Sequence, residues 1–376
     1  MKAGFATLRE VAEFINGAAF KPSDWGDVGK KIIRIQNLTD SSKPYNKTTR
    51  SVNKKLNVNY GDILVSWSAT LGVFVWSEKD EAVLNQHIFK VIHNSKIIDK
   101  NYLRHCLHQA LDAMTKHLHG ATMKHVNRGE FLATQIPLPP LAEQQRIAAM
   151  LDTADHILKQ RETAIAKLDQ LASTTFDEMY DALDAVSTKS LGEILELQRG
   201  ASPRPISDWM TEDEDGVNWI KIADATASDK YIYKCKERIK KEAVAMTRYV
   251  KSGDFLLSNS MSFGRPYILK TDGCIHDGWL LLRDTKNIFE QDFLYAALSC
   301  KAIKEQFLKL ATGAVVKNLN IDAVSKVKIK IPEKKIQTIF SEKMHQLEAN
   351  KATHLKQLAI MNSLLSSLQH QSFALA

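Results

Sequence analysis

Thiols are scarce in this chain. Four cysteines, Cys106, Cys235, Cys274 and Cys300, are spread through 376 residues, and no two of them form a CxxC pair. That excludes a disulfide framework and a cysteine-rich zinc site, and it fits a reduced, cytoplasmic setting. Long apolar runs are missing as well. None approaches the ~20 residues that cross a bilayer. Met1–Glu10 lacks the apolar core of a secretory signal, so no membrane association is expected. The short signatures of common chemistry are also absent. There is no GxxxxGK followed by Ser or Thr, no GxGxxG, no Asn-Pro-Pro-aromatic run, no HExxH and no GxSxG. His117, His119 and His125 lie close together, but no cysteine or carboxylate accompanies them at ligand spacing. They read as a polar helix end, not as a metal site. Glu212-Asp213-Glu214-Asp215 reads as a solvated loop, not as a metal-dependent nuclease centre.

Charge is present in excess and unevenly placed. The formal net charge is +8, which suits a polyanionic partner without proving one. Residues 1–137 carry 19 Lys and Arg against 12 Asp and Glu, and residues 188–331 carry 23 against 19. Between them, residues 138–187 carry 4 against 9. If DNA is the partner, the two basic blocks meet phosphates and the acidic segment is held away.

A diverged tandem repeat organises the chain. Leu8-Arg9-Glu10-Val11 returns as Leu191-Gly192-Glu193-Ile194, and Gly61-Asp62-Ile63-Leu64-Val65-Ser66 as Gly253-Asp254-Phe255-Leu256-Leu257-Ser258. Gly120, Ala121, Lys124 and Asn127 return as Gly313, Ala314, Lys317 and Asn320, and Pro139 and Gln144 as Pro332 and Gln337. Two copies are too few for a solenoid, so two homologous domains are expected. In each, short β-rich runs bounded by turn residues precede a helix, near 101–118 and 291–310. The fold class is therefore mixed α/β.

Each copy ends in a long helical stretch. From Leu141 to Leu183 there is neither proline nor glycine. Apolar residues recur at spacings of four and three, namely Ile147, Leu151, Ala154, Leu158, Ile165, Leu168, Ala172 and Met179. Arg161 and Thr175 occupy slots of the same seam. The second copy repeats the seam 193 residues on, as Phe340, Met344, Leu347, Leu358, Met361, Leu365 and Leu368, with Lys351 and His354 interrupting. This is a heptad pattern. A long helix with one apolar stripe is not stable alone in water, and the other helix supplies the matching stripe. The first helix leads from domain one to domain two and the second must return, so an antiparallel coiled coil is expected. It would span roughly 65 Å at ~1.5 Å per residue, with the chain termini near domain one. The boundaries implied are 1–137, 138–187, 188–331 and 332–376.

The segment Ile136-Pro137-Leu138-Pro139-Pro140-Leu141-Ala142-Glu143-Gln144-Gln145-Arg146-Ile147 resembles the boundary motif of specificity subunits of Type I restriction-modification systems. The Gly-Asp strand signature and the Gly120–Asn127 segment are similar to that family too. The resemblance runs the length of the chain in the order domain, helix, domain, helix. The second copy departs from it, since Ile331-Pro332-Glu333-Lys334-Lys335-Ile336-Gln337 lacks the triple proline and the Glu-Gln pair. The resemblance implies a non-catalytic chain with no cofactor of its own. It implies two modification subunits forming an S-adenosylmethionine-dependent adenine methyltransferase. With restriction subunits, which use ATP and Mg, the complex is a translocating nuclease.

On that basis each α/β domain is expected to enter the major groove of one half-site, where all four base pairs are distinguishable. The half-sites would lie about one helical turn apart, ~34–36 Å. Candidate contacts in the first domain are Gln36, Asn37, Ser68, Thr70, Asn85, Gln86 and His87. Those in the second are Asp224, Asn259, Ser260, Arg265, His276 and Asp277. Lys124 and Lys317 are expected on phosphates. The acidic positions Asp152, Asp155, Glu162, Asp169, Asp177 and Glu178 are expected to help dock the modification subunits. Competing readings are a fused or stand-alone DNA-modifying enzyme, a coiled-coil adaptor without a DNA role, and a DNA mimic, which the positive charge disfavours.

Overall fold

The computed structural model describes residues 4–116, 127–183, 186–225, 228, 230–259, 264–310 and 319–373. Lys124, Ser260, Lys317 and the three clustered histidines lie outside the described residues. The chain forms two compact units. Unit 1 comprises Met1–Arg161 with Gln357–Ala376, and unit 2 comprises Glu162–Lys356.

Each repeated signature has a structural reason. The Leu-x-Glu motif builds a capped turn. Glu10 accepts hydrogen bonds from Thr7 N (2.6 Å) and Thr7 Oγ1 (2.7 Å), and Glu193 accepts from Ser190 N and Oγ, both at 2.7 Å. This satisfies the free donors at the start of Leu8–Val11 and Leu191–Ile194 and leaves Leu8 and Leu191 fully buried. Just upstream, Gly4–Thr7 pairs antiparallel with Gln135–Leu138, and Ser187–Ser190 with Lys328–Ile331.

The Gly-Asp signature starts the central strand. Gly61 (φ +85°) and Gly253 (φ +96°) take left-handed backbone that a side chain would resist. The following aspartate then holds the turn. Asp62 accepts from Asn59 N (2.8 Å) and pairs with Lys90 (2.8 Å). Asp254 accepts from Lys251 N (2.8 Å) and from Arg283 Nε (2.7 Å). The partner cation comes from the equivalent strand in both units, Ile88–His93 or Trp279–Arg283, but from positions two residues apart, since Lys90 lies opposite Leu64 whereas Arg283 lies beyond the Phe255–Leu282 pair.

The central strands Ile63–Ser66 and Phe255–Ser258 are buried throughout, and apolar up to their closing serine, because both faces are covered. Ile63 and Val65 face the larger core of unit 1, while Leu64 faces a second core with Ile33 and Leu84. Phe255 and Leu257 face the larger core of unit 2, and Leu256 faces the smaller one with Ile220 and Ile275. In unit 1 the strands form two four-stranded sheets. One is ordered Ala12–Asn16, Ile88–His93, Ile63–Ser66, Gly72–Val75; the other is Lys47–Thr48, Lys30–Ile33, Ala82–Leu84, Asn57–Val58. Unit 2 has two five-stranded sheets with the same central pairings. These include the parallel pair, Lys30–Ile33 with Ala82–Leu84 in one and Val217–Ile220 with Gly273–Ile275 in the other.

The long helices are Leu141–Asp181 and Lys334–Phe373. Within unit 1 the start of the first packs with the end of the second. Ile147 and Leu151 share a core with Leu365, Leu368 and Phe373, and Arg161 donates to Gln357. Within unit 2 the end of the first packs with the start of the second, as Ala172, Phe176 and Met179 against Phe340, Met344 and Leu347. The pairing is antiparallel in both. Ile147, Leu151, Leu158, Phe340 and Met344 are buried, whereas Ile165, Leu168, Leu347, Leu358, Met361 and Leu365 are half-buried. The seam thus thickens where a domain covers it.

Gln144 and Gln337 explain the conserved end of the repeat. Each is almost fully buried at the foot of a long helix. Gln144 donates to Pro139 O (2.8 Å) and Ile97 O (3.0 Å) and accepts from Asp99 N (2.8 Å). Gln337 donates to Pro332 O (2.9 Å) and Ile288 O (3.2 Å) and accepts from Glu290 N (2.8 Å). One amide therefore fixes each long helix to the loop entering the preceding domain helix.

Candidate nucleic-acid interface

Two loops meet in each unit. The first is the hairpin turn after the central strand, and its anchor is the last residue of the repeated strand signature. Buried Ser66 Oγ donates to Thr70 O (2.7 Å), and Ser258 Oγ lies 3.4 Å from Arg265 O. The second loop carries the chain from one sheet to the other, through Asn85–His87 or His276–Gly278. Trp67 N donates to His87 O (3.2 Å), with the two rings 4.9 Å apart. In unit 2, Asn259 N donates to Gly278 O (3.1 Å) and its Nδ2 to Asp277 O (2.7 Å). A third segment crosses beneath. A side chain at Gly17 or Gly200 would stand 1.9 Å from Asn85 O or 2.0 Å from His276 O, so only glycine allows the approach. Ala69 (φ +57°) and His87 (φ +67°) hold left-handed backbone in these loops, a conformation that concentrates at functional sites.

The candidate contacts divide by exposure. Thr70, Gln86 and Gln36 are exposed, and Ser68, Asn85, His87, Arg265, His276 and Asp277 are half-buried. Asn37 is buried with its amide fully engaged, accepting from Arg34 N and donating to Lys43 O and Pro44 O. Asp224 occupies the same slot in unit 2, accepting from Lys221 N (2.9 Å) and Lys236 N (3.3 Å). Asn259 is buried between the two loops. These three residues, expected at base edges, instead support the loops, because short polar side chains at turns bond the nearby backbone. Asn127 and Asn320, repeated beside the glycine segment, are N-caps of Arg128–Ala133 and Ile321–Ser325.

Several further side chains gather at the same place. Arg199 Nε donates to Asp277 O (3.2 Å), Ser202 Oγ donates to Asp277 Oδ1 (3.1 Å), and Arg204 lies 3.9 Å from Asp277 Oδ2. In unit 1, Arg34 stacks over Trp25 and Arg128 over Phe89. The signal was present in the Gly17-Ala18 and Gly200-Ala201 pairs, which mark the crossing segment in both copies. Burial pushes His276 below its ordinary value, so it is neutral at pH 7, and its Nδ1 accepts from Gly278 N (2.9 Å). Burial works to raise Asp277, but the Ser202 hydroxyl, the residue's own backbone amide and the nearby Arg199 outweigh it and hold the carboxylate ionised.

Titratable groups also gather where the long helices meet the domains. His105, Asp152 and Asp155 bring ligand atoms within 4.8 Å of one another, the grouping a cation would need. Arg104 already donates to Asp152 and stands 3.1 Å from His105 Nε2, so a resident guanidinium supplies the positive charge. In unit 2, Lys230 pairs with Asp292 (2.7 Å) and with Glu348, and His345 pairs with Asp292 (2.7 Å). Burial pulls Lys230 down, but its two carboxylate partners more than offset this and keep it charged. A cavity of about 330 Å³ adjoins this network, walled by Phe176, Tyr295, Met344 and Cys300. Burial pushes the Cys300 thiol up to about 11, which leaves it protonated and unreactive. Asp169 pairs with Lys351 (2.6 Å) and Asp177 accepts from Lys301 N (3.2 Å). Half of the acidic stretch expected to dock a partner (Asp152, Asp169 and Asp177) is therefore engaged within its own unit.

Each unit thus presents a matched loop pair on its sheets, and the titratable clusters described beside the long helices are paired within their own unit. The sequence profile of the Type I restriction modification DNA specificity domain matches residues 3–168 and again 184–362. The chain belongs to that family, whose role is recognition. It is 29% identical over 171 residues to the Type I restriction enzyme EcoBI specificity subunit of Escherichia coli, covering 44% of this chain and 34% of that one. This chain thus spans about a third of the E. coli relative. It is 22% identical over 328 residues to the Type I restriction enzyme MjaVIII specificity subunit of Methanocaldococcus jannaschii, covering 80% and 76%. Among solved structures, the fold matches a chain from a study of complex assembly and conformational transition of the type I R-M system. That match has a TM-score of 0.65 and 19% identity, over 99% of this chain and 97% of that one. A Type I restriction-modification S subunit from M. genitalium matches with a TM-score of 0.55 and 14% identity, over 99% and 96%. Among the described residues, no helix is long and apolar enough to cross a membrane.

Proposed function

We propose that this chain gives a Type I restriction-modification complex its DNA sequence, with each α/β domain reading one half of a bipartite, asymmetric target. One observation carries this. The loop pair is anchored alike in both units, by the same buried serine and the same glycine crossing, yet presents different side chains. Thr70, Gln86 and His87 stand in one, and Arg265, His276 and Asp277 in the other. A common frame with different letters is what two readers of unlike half-sites require. Exposed Gln36 and Gln86 offer both donor and acceptor to a base edge. Lys124 and Lys317, beside their glycines, are assigned to phosphates.

In this reading two modification subunits dock on the helix pair and its junctions and methylate one adenine on each strand. S-adenosylmethionine belongs to those subunits, and ATP and Mg to the restriction subunits. The test is adenine-methylation mapping of a host genome in which this chain is expressed with its modification subunit. A single bipartite motif with an unspecified gap is expected. Methylation without such a motif, or identical half-sites, would refute the proposal.

A further inference from the structure

The crossover loop of unit 2 differs from that of unit 1 in charge as well as in its side chains. It carries an arginine–carboxylate pair. Among the ion pairs of the described residues Arg204 is the most exposed cation, with its side chain 84% accessible and its Nη2 3.9 Å from Asp277 Oδ2. Asp277 is itself held from three sides. Ser202 Oγ fixes one carboxylate oxygen, while Arg199 Nε and Asn259 Nδ2 fix its backbone carbonyl. The corresponding loop residue in unit 1 is the neutral Gln86.

We infer that Arg204, aimed by Asp277, reads a guanine in the second half-site, a role that rests on the DNA-reading function proposed above. Two physical arguments favour base over phosphate. An arginine that serves phosphates gains by keeping its charge uncompensated, and a carboxylate beside it weakens that attraction. An arginine that serves guanine must bring its fork to O6 and N7, and a carboxylate held within ion-pair range biases where that fork rests. Asp277 is thus a positioning residue. Its own free oxygen can also accept from the amino group of a neighbouring cytosine.

The experiment is selection of duplexes from a randomised library by the full-length chain, compared among wild type, Arg204→Gln and Asp277→Asn. Arg204 is on the surface, so its replacement leaves the fold intact, which the unchanged other half-site reports internally. The wild type is expected to enrich a bipartite motif. Arg204→Gln is expected to lose a guanine preference at one position of one half-site, by roughly five- to a hundredfold, with little change in salt dependence. Asp277→Asn frees the arginine for phosphates. It is expected to relax the same position and steepen the slope of log affinity against log salt by up to about one. An unchanged motif with evenly weaker binding by Arg204→Gln, and a shallower salt slope, would make Arg204 a phosphate contact and overturn the inference. If the wild type enriches no bipartite motif at all, the DNA-reading function itself fails, and this role with it.

Discussion

Gln144 and Gln337 show how much one side chain can fix. Each amide makes three hydrogen bonds to backbone in a nearly dry site. Replacement by alanine strands those backbone groups as well as deleting the bonds. Gln337→Ala is expected to cost about 2–4 kcal/mol, read as a lower denaturant midpoint for unit 2, with unit 1 unaffected. The buried histidines make a second prediction at this scale. Burial holds His93, His105 and His108 of unit 1 below the ordinary 6.5. As pH falls through 6.5 the unfolded chain takes up protons that the folded one refuses, so acid favours unfolding. Stability should be full above that pH and decline below it. Denaturation at pH 7.5 and 5.5 checks this, and His108→Gln is expected to shrink the difference; an equal or larger difference would contradict it. The sequence marked Gln144 and Gln337 as repeated but could not say why, since their partners lie some 45 residues upstream. It also offered Asn37, Asp224 and Asn259 as contacts, because composition cannot tell an amide facing solvent from one already bonded to its own turn.

Among the elements, the long helices were the most legible. A heptad stripe without proline or glycine admits one structure, and every seam position is buried or half-buried in the fold. Phe176 and Tyr180 escaped notice because they lie off the stripe, yet both are buried against the domain; their burial comes from tertiary packing that no periodicity records. Strands of two residues, such as Lys47–Thr48 and Tyr231–Ile232, are too short to show alternation. The helix expected across 291–310 is instead two, Gln291–Ser299 and Lys301–Leu310, with Cys300 extended between them and no proline or glycine to announce it. The last turn of Lys334–Phe373 supplies a further test. Phe373 is buried with its ring 5.6 Å from Tyr102, within the core that holds Leu151. Phe373→Ala is expected to destabilise unit 1 by about 3 kcal/mol and leave unit 2 alone. Hydrogen exchange resolved by segment would separate the two, and equal loss in both would contradict the assignment.

For the molecule as a whole, the duplication was readable because the same anchors recur: the capped leucine turn, the Gly-Asp turn and the clipped helix foot. What differs between the copies lies in the loops those anchors hold, where the proposed reading places specificity and pattern gives least guidance. Unit 1 is discontinuous, since Gln357–Ala376 completes it and the whole of Glu162–Lys356 intervenes. A ribosome adding ~5–20 residues per second needs roughly 10 to 40 seconds to cross that interval. Throughout it the face around Ile147 and Leu151 has been made but its cover has not. The nascent chain must therefore finish its second unit before it can close its first, and a chaperone acting on this protein would find that waiting apolar face near the emerging N-terminal half.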